Sequence, residues 1–267
     1  MRDRTPLELR GATVLVTGAG SGIGRATALA FAGRGSRVLC ADIDIDKAQL
    51  TAEACDGGAS ARQVDVADRT AVLALADEVG PVDVLVNNAG VGMSARFLDT
   101  KLDDWDWIVS INLMGVIHGC AAFGPGMVER GRGHVVNMSS GLGYTPRATE
   151  PAYVATKAAV LQLSRCIRAD WRSAGVGVSA VCPGVIDTPI IHHTRFRGDQ
   201  ADPKKVERTR KLFAKRGHPP ELVAEGVVDA VLKNRAVAPV GFESHLGWYA
   251  SRFLPTRLTD LMARSGQ

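Results

Sequence analysis

Short runs of aliphatic and β-branched residues alternate along the chain with longer segments of helical composition or spacing. The runs at 12–17, 37–42, 61–66, 82–87, 134–139 and 176–182 are rich in Val, Ile and Leu on successive positions, which predicts strands covered on both faces. Between them, 22–34, 44–55, 68–79, 102–129 and 151–174 predict helices, and a further short strand is expected at 236–240. Such alternation predicts parallel β-α-β units, and right-handed crossovers wind these into an α/β, doubly wound parallel sheet of about seven strands with helices on both faces. No internal repeat or linker interrupts the pattern, so residues 1–267 are expected to form a single domain. The alternation fails from 188 to 220, a long charged stretch holding Pro189, Pro203, Pro219 and Pro220. An insertion of that kind is expected to be a substrate lid, at about 189–220, with a C-terminal tail at about 242–267.

Composition narrows the class. With 46% hydrophobic and 22% charged residues over 267 positions, the chain is too apolar for intrinsic disorder and long enough to bury a core unaided. The formal charge of +4 hints at nucleic acid, but its distribution argues otherwise. Nine Lys/Arg and three Asp/Glu lie between Arg195 and Arg216, and the rest of the chain carries a small negative excess. Cys40, Cys55, Cys120, Cys166 and Cys182 are scattered and odd in number, which reads as reduced thiols and neither a disulfide framework nor a zinc site. The apolar stretch at 12–16 is too short for a secretory leader. Residues 107–128 have no formal charge and the length to span a bilayer, but Asn112, His118, Pro125 and four glycines favour a buried helix. The expectation is a soluble cytoplasmic protein with no membrane span and no nucleic-acid partner.

The first strand runs into Thr17-Gly18-Ala19-Gly20-Ser21-Gly22-Ile23-Gly24, where a helix pattern begins. Glycines there let the backbone approach a pyrophosphate, and the new helix aims free N–H groups and its positive dipole end at the anion. The second strand ends at Asp42, 18 residues after Gly24, close to the spacing of an acid that bonds ribose hydroxyls. Its carboxylate would repel a 2′-phosphate, so NAD is expected over NADP; Arg37 lies at the far end of that strand. Tyr153 and Lys157 stand four apart at the start of a helix opened by Pro151, so hydroxyl and ammonium share one face. A tyrosine with an ordinary pKa near ~10 is a poor base at neutral pH, and a neighbouring cation would lower it.

At T-G-x-x-x-G-x-G the chain resembles the short-chain dehydrogenase/reductase family, in its shorter single-domain branch of Rossmann-type fold. The resemblance extends over roughly 9–240: Asp65-Val66 looks like the pair that contacts adenine, Asn87-Asn88-Ala89-Gly90 like the N-N-A-G after the fourth strand, and Pro183-Gly184-Val185-Ile186-Asp187-Thr188 like the P-G-x-x-x-T beside the nicotinamide. It implies cofactor contacts at Gly18, Ser21, Gly22, Ile23, Gly24, Asp42, Asp65, Val66, Asn88, Ala89, Gly90, Tyr153, Lys157, Pro183, Gly184, Val185, Ile186 and Thr188. It also implies a catalytic set of Asn112, Ser140, Tyr153 and Lys157, with Asn112 bending its helix and holding a water toward Lys157. Ser140 lies 13 residues before Tyr153 and is favoured by spacing over Ser139. The expected reaction is hydride transfer between nicotinamide and a secondary alcohol or ketone, which the apolar positions Val185, Ile190, Ile191, Phe196, Leu212 and Phe213 suggest is hydrophobic. A homotetramer or dimer packing 102–129 and 151–174 is implied as well. Around 194–196 and in the C-terminal tail the chain is more loosely similar to the reductase half of actinobacterial epoxide hydrolase–reductase fusions.

Other readings stay open at this point. They are an NADP-dependent ketone or 3-oxoacyl-type reductase, and a non-catalytic NAD-binding regulator that would be expected to have lost Tyr or Lys. An epimerase of the longer branch would use a different glycine spacing. His192, His193 and His218 lack the carboxylate spacing of a metal site, so no metal is expected. Trp248, Tyr249, Phe253 and Leu254 fit core or subunit packing, a substrate-tunnel wall or a membrane-surface helix.

Overall fold

A computed structural model describes residues 7–263; the ends of the expected domain and tail, 1–6 and 264–267, lie outside the described residues. Seven parallel strands form one sheet in the order β3-β2-β1-β4-β6-β7-β9, where β1 is Thr13–Thr17, β2 Arg37–Asp42, β3 Ser60–Gln63, β4 Val84–Asn87, β6 Gly133–Met138, β7 Val176–Pro183 and β9 Val237–Val240. A second, two-stranded sheet pairs β5 (Met93–Ser94) with β8 (Arg195–Phe196). The chain winds outward from β1 to β3, returns to β4 and continues the other way. The crevice beside the carboxyl ends of β1 and β4 is therefore the topological switch point where ligands bind in open α/β sheets.

The alternation of side chains along each strand explains the two covered faces. Val14, Val16, Val84, Val86, Val136 and Val181 pack on one side under α1 (Gly22–Ala32), α2 (Ile45–Glu53) and α9 (Pro220–Leu232). Leu15, Leu85, Val135 and Val178 face the other, under α3 (Arg69–Val79), α5 (Gly115–Glu129) and α6 (Pro151–Trp171). Asp44 and Asp68 cap α2 and α3 by accepting from backbone N–H groups of their first turns.

Two sequence expectations change, and two regions gain detail. The 61–66 strand ends at Gln63, because Asp65 Oδ1 accepts from Ala67 N and turns the chain out of the sheet. The single helix expected at 102–129 is α4 (Leu102–Val109) and α5 joined by a π turn over Ser110–Met114. It is long and apolar enough to cross a bilayer, yet Val116, Cys120, Phe123 and Met127 lie buried along the sheet. Helix α9 was not read from the sequence, although a parallel β7–β9 pair needs a crossover of this kind. The segment expected as a lid holds α7 (Ile190–His193), β8, a short 3-10 turn and α8 (Pro203–Arg216). The tail forms α10 (Phe242–Phe253) and α11 (Thr256–Ala263).

Candidate active site

Loops at the carboxyl ends of the strands meet at the switch point. In the turn after β1, Gly22 has φ +50 and a Cβ there would come within 3.2 Å of the Thr188 side chain, so the P-G-x-x-x-T loop after β7 closes on the glycine turn. A Cβ on Gly24 would collide with the Gly18 carbonyl, which is why the helix can start so near the strand. Asp42 Oδ2 accepts from Gly20 N at 2.8 Å and Oδ1 from Asp44 N at 3.0 Å, which fixes the carboxylate beside the turn. Arg37 points away, donating to Thr13 Oγ1. The cradle is tied to the loop after β4 by Thr17, whose Oγ1 accepts from Asn88 N at 3.0 Å and Ala89 N at 3.1 Å, while Asn88 Nδ2 donates to the Thr17 and Gly18 carbonyls. Ser21 is exposed at the start of α1, with Ile23 half-buried behind it. Asp65 is exposed at the rim, and Val66 is buried against Gly115 and His118, whose Nδ1 lies 2.9 Å from its carbonyl. In the loop after β7, Gly184 and Val185 are half-buried, whereas the side chains of Pro183 and Ile186 are buried.

Helix α6 opens with Pro151 and carries Tyr153 and Lys157 on one face. The Lys157 ammonium lies 5.7 Å from the centre of the Tyr153 ring and donates to the Met138 carbonyl at 3.0 Å. Ser139 and Ser140 have different work. Ser139 Oγ donates to the Lys157 carbonyl at 2.8 Å, whereas Ser140 Oγ accepts from Leu142 N and lies toward the Tyr153 phenol. Asn112 is fully buried in the π turn. It accepts from Val91 N at 2.8 Å and donates to Val91 O at 3.0 Å and to Thr156 Oγ1. A Cβ on Gly90 would sit 3.2 Å from Asn112 Oδ1 and 3.4 Å from Lys157 Nζ, so these three residues converge on one point.

Burial sets the electrostatics. It pushes the Tyr153 phenol up to about 12, with Ser140 opposing the rise and the Glu150 carboxylate adding to it, and pushes the Lys157 ammonium down to about 8. Burial outweighs the lowering expected from the sequence, and the ammonium that was to supply it is turned to the Met138 carbonyl. Sequence reasoning missed Glu150. It sits at the N-terminal boundary of α6, paired with Arg147 at 3.3 Å, and burial raises its carboxyl pKa as well. Its position three residues before Tyr153 was the available signal.

Helix α10 lies over the loop that follows Ser140. Tyr144 packs on Trp248 with ring centres 5.0 Å apart, its hydroxyl meets Ser244 Oγ at 3.3 Å, and Ser244 donates in turn to the Cys182 carbonyl. Phe242, Leu246, Tyr249 and Phe253 are exposed on the opposite face. His218 pairs with Glu243, while His192 and His193 are exposed on α7. Four cysteines are buried and Cys166 is exposed.

The short-chain dehydrogenase model matches residues 12–197, and the chain belongs to the short-chain dehydrogenase/reductase family. It is 45% identical over 257 residues to the probable oxidoreductase EphD of Mycobacterium tuberculosis, covering 92% of this chain but 43% of that one, so it spans less than half the length of that relative. It is 37% identical over 226 residues to a D-threitol dehydrogenase of Mycolicibacterium smegmatis, covering 82% of this chain and 85% of the relative. A short-chain dehydrogenase/reductase from Burkholderia phymatum, solved in complex with NAD, superposes with a TM-score of 0.82 at 28% identity over 98% of each chain.

Proposed function

We propose that the chain is an NAD-dependent dehydrogenase that interconverts a secondary alcohol and its ketone. The observation carrying this reading is the convergence of Ser140, Tyr153 and Lys157, with Asn112 and Gly90 behind them. The nicotinamide, when bound, gives or takes the hydride at C4. The residues present fit such a cofactor: the space over Gly18, Gly22 and Gly24 would hold the pyrophosphate, and Asp42 the adenosine ribose. Asp65, Val66, Asn88, Ala89 and Gly90 would border the adenosine side, and Pro183 to Thr188 the nicotinamide.

Tyr153 holds the proton that moves to or from the substrate oxygen. Ser140, which faces the Tyr153 phenol while Ser139 is turned to the Lys157 carbonyl, stabilises negative charge developing on that oxygen. Lys157 binds the nicotinamide ribose and favours the phenolate when its ammonium leaves the Met138 carbonyl. Asn112 holds the π turn against Val91 and directs a water toward Lys157.

The half-buried Val185, Ile190 and Phe196 favour an apolar alcohol or ketone. The polyol named for the D-threitol relative makes sugar alcohols the comparison class. We further propose a homo-oligomer built on α5 and α6. Ile117, Ala121, Pro125, Leu163, Ile167 and Trp171 line an open apolar groove of about 360 Å³ between them. The cytoplasm suits the five free cysteines.

The test is titration with NADH and NADPH, then a panel of secondary alcohols, polyols and ketones on wild type and Tyr153→Phe. Tighter NADH binding and loss of turnover with NADH binding kept are expected. Preferential NADPH binding overturns the Asp42 argument, and substantial residual turnover overturns the role of Tyr153.

A further inference from the structure

One buried carboxylate outside the converging residues holds two arginines from the lid. Asp104, in the first turn of α4, is 4% exposed at its side chain. Arg197 grips it with two bonds, Nε to Oδ2 at 3.0 Å and Nη2 to Oδ1 at 2.9 Å, and Arg195 Nη1 reaches Oδ1 at 3.2 Å. The Arg195 guanidinium also lies 3.7 Å over the Trp107 ring. A forked guanidinium on a carboxylate fixes direction as well as distance, and a buried carboxylate left alone is strongly unfavourable.

The backbone repeats the fastening. Arg195 N donates to Gly92 O and Arg197 N to Ser94 O, both at 3.1 Å, as β8 pairs with β5. Strand β5 is bound in turn to the catalytic side, since Ala95 N donates to Thr149 O at 2.8 Å, just before α6, and Val91 is held by Asn112. Beyond Arg197 the hold is different in kind. Helix α8 buries no residue, and its ion pairs Lys205–Asp199 and Lys211–Glu207 are exposed. Asp199 makes only a loose, exposed pair with Arg96 at 3.8 Å, and the strap is next fixed by backbone at His218, which bridges to Ile186 and exchanges backbone bonds with Val185 and Asp187.

We propose that Asp104 is a positioning residue for substrate binding, bolting the root of the lid to the helix that carries Asn112 so that α8 covers the site from two fixed points. This rests on the reading that 189–220 lies over the substrate. Arg195 and Arg197, two of the nine cations in the basic segment, are thereby committed to the lid's own anchorage and are not available to an incoming anion.

The test uses Asp104→Asn, which keeps size and removes charge, read with the best substrate of the panel. KM is expected to rise roughly tenfold or more while kcat changes less than about threefold. NADH affinity and melting temperature should stay near wild type, and hydrogen-exchange protection of the Arg195 and Arg197 amides should fall. Asp104→Glu should recover part of the KM, and Arg197→Gln should reproduce the defect. An unchanged KM with unchanged protection overturns the proposal, as does a parallel loss of NADH affinity and melting temperature, which would mark a general folding role. Failure of the hydride-transfer reading shows separately, as turnover surviving in Tyr153→Phe.

Discussion

Replacing Thr17 by valine exchanges one oxygen for a methyl group of nearly the same shape, at a residue only 7% exposed. The oxygen is the acceptor for two backbone donors, Asn88 N and Ala89 N, and donates weakly to Val86 O at 3.4 Å. With valine there, both N–H groups lose their partner. A buried donor left unsatisfied costs about 1–3 kcal/mol, and these two are half-buried, so the lower part of that range applies to each and the sum is ~2–4 kcal/mol. Equilibrium urea unfolding at one fixed protein concentration should show the midpoint falling by roughly 1 M or more at unchanged slope. NADH binding should weaken too, because the same two bonds hold the glycine turn against the loop after β4. Thr17→Ser keeps the oxygen and should retain most of the stability. A valine variant within about 0.5 kcal/mol of wild type, or a serine variant as damaged as the valine one, would refute the hydrogen-bond account.

Three further outcomes are expected. Below pH 8 Lys157 holds its proton in the folded and unfolded states, and between about 8 and its ordinary 10.5 only the unfolded chain keeps it, so this residue makes stability climb with pH. The stability difference between wild type and Lys157→Met should therefore move in favour of wild type by on the order of 3 kcal/mol across that window, and urea titrations giving a flat difference would contradict it. Glu150→Gln removes a negative charge that helps to raise Tyr153, so the rising limb of the pH–rate profile for alcohol oxidation, where Tyr153 loses its proton, should shift to lower pH; a shift upward would contradict the sign. Ala121→Arg, on the rim of the α5–α6 groove, should lower the mass seen by light scattering, and an unchanged oligomer would place the interface elsewhere.

The strands could be read because a residue buried on both faces of a parallel sheet must be apolar whichever way it points, as Val14, Leu15 and Val16 show. The glycine turn, Asp42 and the Tyr153–Lys157 pair were legible for a similar reason: their relations are local, within a turn or one β-α-β unit. The Asp104 clamp on Arg195 and Arg197 was not. Asp104 and Arg197 are 93 positions apart, and in the sequence Arg197 is one cation among nine. The division of labour between Ser139 and Ser140 likewise depends on which of them meets the Lys157 carbonyl, a fact of packing that spacing only hints at. Tyr153 and Lys157 were identified by spacing, but the direction of their pKa values follows from burial, which no short motif encodes.

A π turn is an α-helix with one residue too many, and an α-helix advances by about 100° per residue. The turn at Ser110–Met114 therefore puts α4 and α5 out of phase by about that angle, although they run as one rod. The face of α4 that presents Asp104 and the face of α5 that presents Ile117 and Ala121 to the groove are set in part by this single extra residue. A chain one residue shorter there would still read as the same apolar helix, yet it would turn Asp104 and its groove toward the wrong neighbours.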